Sequence, residues 1–251
     1  MIRGQYIAAT GMMLQRRRME NITNNITNAE TVGYRKETLV SHSFDDVLLR
    51  RINDTNARGY GVNPGPFHFG AQVDELFTSF DMGILEETGR DSDMALIGDA
   101  FFVFDTQEGD RYTKAGAFIV NPEGYLVDGE GHYLRGTGGN ILVGHGKFTV
   151  DERGNVMVNG ENRGTLMIVR FEDNAQLRKE GSNLFSAGGA APTAANNFII
   201  RQGFVENANV DIGREMVDML TTYRAYETNQ RILTMIDESL GRGVNDIGRL
   251  R

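Results

Sequence analysis

The chain has 251 residues, of which 40% are hydrophobic, so it is long enough to bury a core as one large domain or two smaller ones. Its formal charge of −8, from 34 acidic against 26 basic residues, opposes binding to nucleic acid or to an anionic membrane. The sequence contains no cysteine, which excludes disulfides, thiolate zinc sites and cysteine nucleophiles.

The N-terminal segment does not have the pattern of a cleaved signal peptide. Its apolar stretch, Tyr6–Leu14, comes before the basic run Arg16–Arg18, and no small-residue cleavage site follows. The basic run predicts a solvated helix face or a contact between subunits. No apolar run approaches the roughly 18 residues of a membrane span. We therefore expect no membrane span and, if the chain leaves the cell, export without a cleaved signal peptide.

Apolar residues recur at heptad spacing over the first 29 residues, which predicts a helix with a seam for a partner helix. The a and d positions are Met1, Gln5, Ala8, Met12, Gln15, Met19, Ile22, Ile26 and Ala29. Gly33 follows a cluster of turn-forming residues, and we expect it to end the helix as a left-handed C-cap.

The middle of the chain, about residues 40–209, contains most of the 31 glycines, which separate short runs of β-forming residues. These runs are Phe101–Phe104, Ala117–Val120, Ile141–Val143 and Thr165–Val169. Turn-forming sequences lie between them, at Asn121–Gly124, Asp128–Gly129, Arg153–Asn155 and Asn159–Gly160. The pattern predicts a glycine-rich antiparallel β domain built from hairpins.

Two segments of this middle region have little hydrophobic periodicity. Residues 52–70 are rich in Gly, Asn and Pro, which predicts a long loop or an extended crossover. Residues 181–197 contain an Ala/Gly-rich tract and predict a second flexible connection.

Helical periodicity returns near Val210. The a and d positions are then Ile212, Met216, Met219, Tyr223, Tyr226, Gln230, Leu233, Asp237 and Leu240. We expect Asn209 or Asp211 to cap the start of this helix, and Gly241 and Gly243 to mark its end.

The expected fold class is therefore α+β, with N- and C-terminal helices that form a coiled-coil-like α domain around a central antiparallel β domain. We expect four parts: an N-terminal helix at 1–35, an extended crossover or linker at 36–75, the central β domain at 76–203 and the C-terminal helix at 204–251. The two helices could pair within one chain or with other copies, and periodicity alone does not decide between these alternatives.

No motif predicts catalysis. The segment Gly144–Thr149 fails the phosphate-loop pattern because Phe148 stands where that loop needs Ser or Thr after Lys147. A G-x-S-x-G nucleophile elbow is absent. No two histidines stand at metal-ligand spacing, the four being His42, His68, His132 and His145. We predict a protein that is not an enzyme and holds no metal or cofactor.

Three blocks carry a family resemblance. Gly11–Met12 and Asn24–Arg35 resemble the N-terminal signature of flagellar basal-body rod and hook proteins, NN-x-A/T-N-x-x-T-x-G-F/Y-K/R. Residues 203–211, 215–220 and 223–229 are similar to the C-terminal signature, in which G-x-x-E-x-S-N-V precedes E-M and R-A-Y-E-x-N, with Ala208 for the usual Ser. Residues 93–102 and 112–118 are similar to the family core, with Ala100 for Gly and Lys114 for Arg.

The resemblance implies an axial structural subunit of the proximal or distal rod, because the hook subunit is longer. In this family the terminal helices pack as concentric coiled coils that form the inner tube, with the β domain outside. The implied partners are copies of the chain, other flagellar axial proteins and the flagellar type III export apparatus. The implied location is the basal body, in the extracytoplasmic cell envelope, and the implied role supports motility.

We expect the assembly interface to combine residues of both helices: Met12, Met19, Ile22, Asn24, Asn25, Ile26, Asn28, Met216, Met219, Leu220, Tyr223, Tyr226, Asn229 and Leu233. An alternative interpretation is a secreted β-rich module that binds cell wall or glycan and uses its helices only to oligomerise. Such a module needs an exposed aromatic platform, whereas Trp is absent and most Phe residues fall in strand-like runs.

Overall fold

The computed structural model describes residues 2–44, 47–48, 66–68, 70–181 and 183–248. Helix α1 (Ile2–Thr27) and helix α2 (Ile212–Gly248) flank a central region of antiparallel strands, which confirms the predicted fold class in outline. The predicted loop at 52–70 lies mostly outside the described residues.

Between the helices, the described part of the chain forms short strands and one 3-10 turn, at Asn174–Gln176. The strands of the first half are β1 (Glu37–Ser43), β2 (Val47–Leu48), β3 (Pro66–Phe67), β4 (Ala71–Thr78), β5 (Leu85–Glu87), β6 (Met94–Ile97), β7 (Phe101–Thr106), β8 (Gly109–Thr113), β9 (Ile119–Val120) and β10 (Leu126–Val127). Those of the second half are β11 (Tyr133–Gly136), β12 (Gly139–Asn140), β13 (Phe148–Val150), β14 (Asn155–Val158), β15 (Glu161–Thr165), β16 (Ile168–Arg170), β17 (Arg178–Glu180), β18 (Leu184–Ser186), β19 (Thr193–Ala194), β20 (Ile199–Gln202) and β21 (Phe204–Glu206).

The chain divides into two compact units. The first, called the helical unit below, contains Met1–Asn24, Glu37–Phe77 and Ile212–Arg251. The second, called the β unit, contains Asn25–Lys36 and Thr78–Asp211. The last residues of α1 therefore belong to the β unit.

The β unit is built on one large sheet with the strand order β17-β18-β8-β7-β11-β10-β9, with β12 beside β11, β16 beside β7 and β19 beside β16. A smaller sheet has the order β13-β14-β15, and two further strand pairs are β20–β6 and β21–β5. All of these pairings are antiparallel, as the hairpin-rich sequence predicted.

Strand β7 lies at the centre of the core. Its side chains alternate between two apolar clusters, because successive residues of a strand point to opposite faces. Phe102 and Phe104 enter one cluster, and Phe101 and Val103 enter the other. Burial on both faces explains why this strand is a continuous hydrophobic run in the sequence.

The turn chemistry of the sequence predicted one hairpin in detail. Asn159 and Gly160 both have positive φ, 52° and 83°, and connect β14 to β15, where Val158 pairs with Glu161. Two residues with positive φ are the requirement of a type I′ turn. This prediction is confirmed.

Three predictions about the middle region are wrong. Ile141–Val143 forms no strand, since Leu142 makes only an isolated bridge to Tyr125. The run Thr165–Val169 is divided between β15 and β16, because the Leu166 and Met167 amides donate to the carbonyls of Gly154 and Arg135. The predicted flexible connection at 181–197 contains strands β18 and β19.

Both predicted helix ends differ from the structure. Helix α1 ends at Thr27, although Gly33 does have the expected positive φ of 70°. A Cβ on Gly33 would lie 2.4 Å from the Ala115 backbone, so this glycine permits a close approach rather than a helix cap. Helix α2 continues through Gly241 and Gly243 to Gly248, because a glycine inside a helix costs about 1 kcal/mol but need not end it.

Candidate assembly surface

Within the helical unit, α1 and α2 approach each other at two glycines of α1. A Cβ added to Gly4 would lie 3.2 Å from Ile236 Cδ1, and one added to Gly11 would lie 2.9 Å from Asn229 Nδ2. The later glycine of α1, Gly11, meets the earlier residue of α2, Asn229, whereas Gly4 meets Ile236. The two helices therefore run antiparallel, and their contacts repeat at the spacing of one heptad.

The less exposed face of α2 repeats at heptad spacing. It consists of Glu215, Met219, Thr222, Tyr226, Asn229, Leu233, Ile236 and Leu240. Half of these positions are the ones that the sequence predicted. Two of the other predicted positions, Met216 and Tyr223, are exposed, and the residue before each of them is buried instead. The sequence pattern missed this register because Glu215 and Thr222 are polar, although both are buried.

The face beside the covered one is an apolar stripe, which we call the α2 stripe. It consists of Met216, Val217, Leu220 and Tyr223, whose side chains are between 50% and 59% exposed. Residues three and four apart on a helix are neighbours on its surface, so the four side chains form one patch. A contiguous exposed apolar patch is typical of an interaction site.

The predicted interface residues differ in exposure. Ile22 and Asn25 are buried, whereas Asn24, Met216, Leu220 and Tyr223 are exposed. The remaining eight are partly exposed: Met12, Met19, Ile26, Asn28, Met219, Tyr226, Asn229 and Leu233. Their role in assembly stays a prediction.

The two terminal signatures meet in the β unit through a buried ion pair. Arg35 Nη1 and Nη2 donate to Glu206 Oε1 and Oε2 over 2.8 and 3.0 Å, and both side chains are 1% exposed. Because such a pair lies in a poorly polarisable interior, removal of one partner leaves a charge that the protein solvates badly. The pair fixes the segment after α1 to strand β21.

The same ion pair organises the segment that leads into β5. Glu206 Oε1 accepts the Gly83 amide over 2.7 Å, and Arg35 Nη1 donates to the Asp81 carbonyl over 2.7 Å. Asn209 Nδ2 also donates to the Asp81 carbonyl, over 3.0 Å. These bonds restrain the backbone of residues 81–84, called the 81–84 loop below.

Tyr34 adds an aromatic contact to this junction. Its hydroxyl donates to Asn25 Oδ1 over 3.1 Å, and Lys179 Nζ lies 3.8 Å from the centre of its ring. Lys179 Nζ also donates to the Arg35 carbonyl over 3.3 Å. The asparagine and the aromatic residue of the N-terminal signature therefore have structural roles in the β unit.

Lys114 lies nearby and is 4% exposed, with its Nζ donating to the Gly98 carbonyl over 2.5 Å. The pKa of Lys114 is lowered from 10.5 to about 8, mainly by burial and also by the charge of Arg35, while Glu206 and Asp99 act in the opposite direction. The lysine that replaces the usual arginine of the family core is thus a buried cation beside the ion pair.

The sequence did not identify Arg35 and Glu206 as a pair, although each belongs to a signature segment. The only signal that the sequence offered was the opposite charge of the two residues, because their burial is visible only in the structure. No local pattern predicts which distant residue pairs with which.

Among the described residues, no group of three or more His, Asp or Glu side chains could hold a metal ion. Neither helix in the described part of the chain has both the length and the apolar character that a bilayer crossing requires.

Comparison with known proteins covers the same segments. Three family models match: "Flagella basal body rod protein" at residues 6–35, "Flagellar hook protein FlgE/F/G D1 domain" at 95–158 and "Flagellar basal body rod FlgEFG protein C-terminal" at 201–247. The first and third of these contain Arg35 and Glu206.

Whole-length relatives agree with these matches. The flagellar hook-basal body complex protein FlhO of Bacillus subtilis is 31% identical over all of both chains. The flagellar basal-body rod protein FlgG of the same species is 32% identical over 98% of this chain and 99% of its own. The flagellar basal-body rod protein FlgF of Caulobacter vibrioides is 30% identical over 98% of each chain.

Proposed function

Because this chain belongs to the family of flagellar basal-body rod proteins, we propose that it is an axial structural subunit that assembles itself into a helical tube through α1 and α2. Its partners are then copies of itself and other flagellar axial proteins, and its role supports motility. The subunit is structural rather than enzymatic.

The α2 stripe is the observation that carries this proposal. Burial of a side chain the size of Met, Val or Leu stabilises by about 1.5 to 3 kcal/mol relative to its exposed state. Four apolar side chains on one helix face, each at least half exposed among the described residues, favour association with another molecule. A contact of this kind between two different surfaces, repeated by a rotation that does not close, makes a helical filament.

The antiparallel approach of α1 and α2 is compatible with this proposal. The helices use one face of α2 to meet each other within the chain, and the α2 stripe lies on the adjacent face. Pairing within the chain and pairing between copies therefore use different residues. We propose that the coiled-coil-like core of the assembled tube combines both.

The alternative of a glycan-binding module gains no support from the β unit. None of its Phe and Tyr side chains is exposed in the described residues, and the largest of them lie in the two core clusters. A sugar-binding platform needs an accessible aromatic face.

Export and location follow from family membership as further parts of the proposal. We propose that the subunit leaves the cell through the flagellar type III apparatus, with its N-terminal helix retained. We propose that it is located in the extracytoplasmic part of the basal body.

A charge placed in the α2 stripe tests the proposal. We expect Leu220→Asp to leave the β unit folded, by circular dichroism and thermal unfolding, but to abolish incorporation into isolated basal bodies and swimming in soft agar. Thr228→Asp is the matched control, because Thr228 is exposed on the same helix outside the stripe. Wild-type incorporation and swimming of Leu220→Asp would overturn the proposal.

A further inference from the structure

We propose that the 81–84 loop of one copy docks on the outward face of α1 in a second copy, an interface separate from the α2 stripe. The inference deepens the proposed function and rests on it. The observations that carry it are a rigid apolar loop in an acidic setting and an exposed apolar helix face in a basic one.

The 81–84 loop presents two apolar side chains to solvent. Met82 is 50% exposed and Ile84 is 78% exposed, and they stand on either side of Gly83. Exposed apolar side chains usually occur singly and need no explanation, but two in a four-residue loop form a small protruding patch.

This loop is fixed on both sides, unlike most exposed loops. The Gly83 amide donates to Glu206 over 2.7 Å, and the Asn207 amide donates to the Ile84 carbonyl over 2.9 Å. The Asp81 carbonyl accepts from Arg35 and from Asn209. A surface that is already ordered loses little conformational entropy on binding, so one of the costs of docking a loop is reduced. The buried ion pair therefore prepares Met82 and Ile84 for a partner.

The setting of the loop is acidic. Residues 79–88 contain Asp81, Glu86 and Glu87 and no Lys or Arg, and all three carboxylates are on exposed residues. Glu86 Oε2 accepts from Asn207 Nδ2 over 2.8 Å, a bond that leaves its charge in place. The partner surface should therefore be apolar with a positive rim.

The outward face of α1 has this character. Tyr6 is 50% exposed and Met13 is 65% exposed. Arg16 and Arg17 follow Met13 by three and four residues and so lie beside it on the helix surface. The two arginines share one carboxylate, that of Glu20, at 3.5 and 3.1 Å, so this face keeps a net positive charge.

The α2 stripe is a less suitable partner for the loop. Among residues 211–224, which surround the stripe, the exposed charged residues are two acidic ones, Asp211 and Asp218, and two arginines, Arg214 and Arg224. The exposed charges around the stripe therefore have no positive excess to attract an acidic loop, whereas residues 1–20 contain four arginines and one glutamate. Charge complementarity thus selects α1.

The absence of cysteine makes this interface directly testable, since any introduced cysteine is unique. One differently tagged copy carries Ile84→Cys and the other carries Met13→Cys, and both are produced in the same cells. Isolated basal bodies are then oxidised with copper phenanthroline. A disulfide between the two tags can form only if the Cα atoms approach to about 4.4 to 6.8 Å. The matched control replaces Ile84→Cys by Ile119→Cys, because Ile119 is 56% exposed elsewhere on the β unit.

We expect the combination of Ile84→Cys and Met13→Cys, the 84/13 pair, to give a reducible dimer that carries both tags. The control combination of Ile119→Cys and Met13→Cys should give no such dimer. Both variants present in basal bodies without an 84/13 dimer would overturn the inference and leave the proposed function intact. Absence of the tagged wild-type chain from basal bodies would overturn the proposed function, and the inference with it.

Charge reversal keeps the inference testable if the cysteine variants assemble poorly. We expect Glu87→Arg and Arg17→Glu each to lower incorporation by about fivefold, the effect of one lost exposed charge pair, and their combination to restore it. Wild-type incorporation of both single variants, or no restoration in the double variant, would contradict the docking of the loop on α1.

Discussion

Arg35 and Glu206 are 171 positions apart in the sequence, yet their side chains form a bidentate ion pair that is almost fully buried. One belongs to the segment that follows α1 and the other to the strand that precedes α2. The pair thus connects the two ends of the β unit, and through Gly83 and Asp81 it also fixes the exposed 81–84 loop. Stability and surface shape depend here on the same contact.

Removal of one partner should be costly. We expect Glu206→Gln to lower the free energy of unfolding by about 3 to 5 kcal/mol, because it leaves the Arg35 guanidinium buried without its counter-charge. Urea unfolding of the purified chain measures this. The matched control is Glu20→Gln, which breaks exposed pairs with Arg16 and Arg17 and should cost less than about 1 kcal/mol. Equal effects of the two changes would contradict the special role of the buried pair.

The lowered pKa of Lys114 predicts a pH dependence of stability. The unfolded chain binds a proton at Lys114 up to its ordinary pKa of 10.5, whereas the folded chain releases it at about 8. The unfolded state therefore holds more protons in this window, and stability rises with pH there, by up to about 3 kcal/mol at 1.36 kcal/mol per pKa unit. The cost of the buried cation is fully present below about pH 8.

Lys114→Met should remove this rise, and urea unfolding at a series of pH values checks it. Burial also raises the pKa of Tyr112, so the folded state loses stability from that group above its ordinary pKa of 10.0. The comparison is therefore best made between about pH 7 and 9.5. A wild-type chain whose stability is flat across this range would show that Lys114 keeps an ordinary pKa.

Gly83 should not tolerate a side chain. A Cβ at this position would lie 2.0 Å from the Asn207 carbonyl oxygen, so Gly83→Ala must displace backbone that the ion pair holds in place. We expect a loss of about 1 to 3 kcal/mol in the free energy of unfolding. In Gly146→Ala the new methyl meets nothing within 4 Å, and we expect a change of less than about 1 kcal/mol. Thermal unfolding of both variants measures the difference.

Alanine substitutions at two helix glycines should have opposite effects on the stability of α2. Gly241→Ala adds a methyl with nothing within 4 Å inside α2, so we expect about 0.5 to 1 kcal/mol of added helix stability. In Gly11→Ala the new methyl would lie 2.9 Å from Asn229 Nδ2, so we expect this substitution to weaken the contact between α1 and α2. Hydrogen exchange of the α2 amides should slow in the first variant and quicken in the second. Slower exchange in both would show that the two helices do not meet at Gly11.

The sequence predicted features that depend on neighbouring residues. Asn159–Gly160 identified its own turn because positive φ at two successive positions requires these residue types. Helix α2 begins directly after Asp211, as the expected cap position indicated. Heptad spacing predicted both helices.

Features that depend on distant contacts were not predictable in the same way. The covered face of α2 includes Glu215 and Thr222, whose burial depends on what packs against them rather than on their own polarity. Gly33 signalled positive φ correctly, but only the position of Ala115 explains why the glycine is needed there. The partner of Arg35 could not be found from spacing, since any carboxylate in the chain was a candidate.

The long separation of Arg35 and Glu206 in the sequence also affects how the protein is made. During synthesis, Arg35 emerges from the ribosome long before the carboxylate that neutralises it, so the β unit cannot complete its interior until residue 206 has been made. A product that stops before residue 206 would keep an uncompensated guanidinium and lack strand β21. Proteases that degrade poorly folded chains should therefore remove products that stop before residue 206.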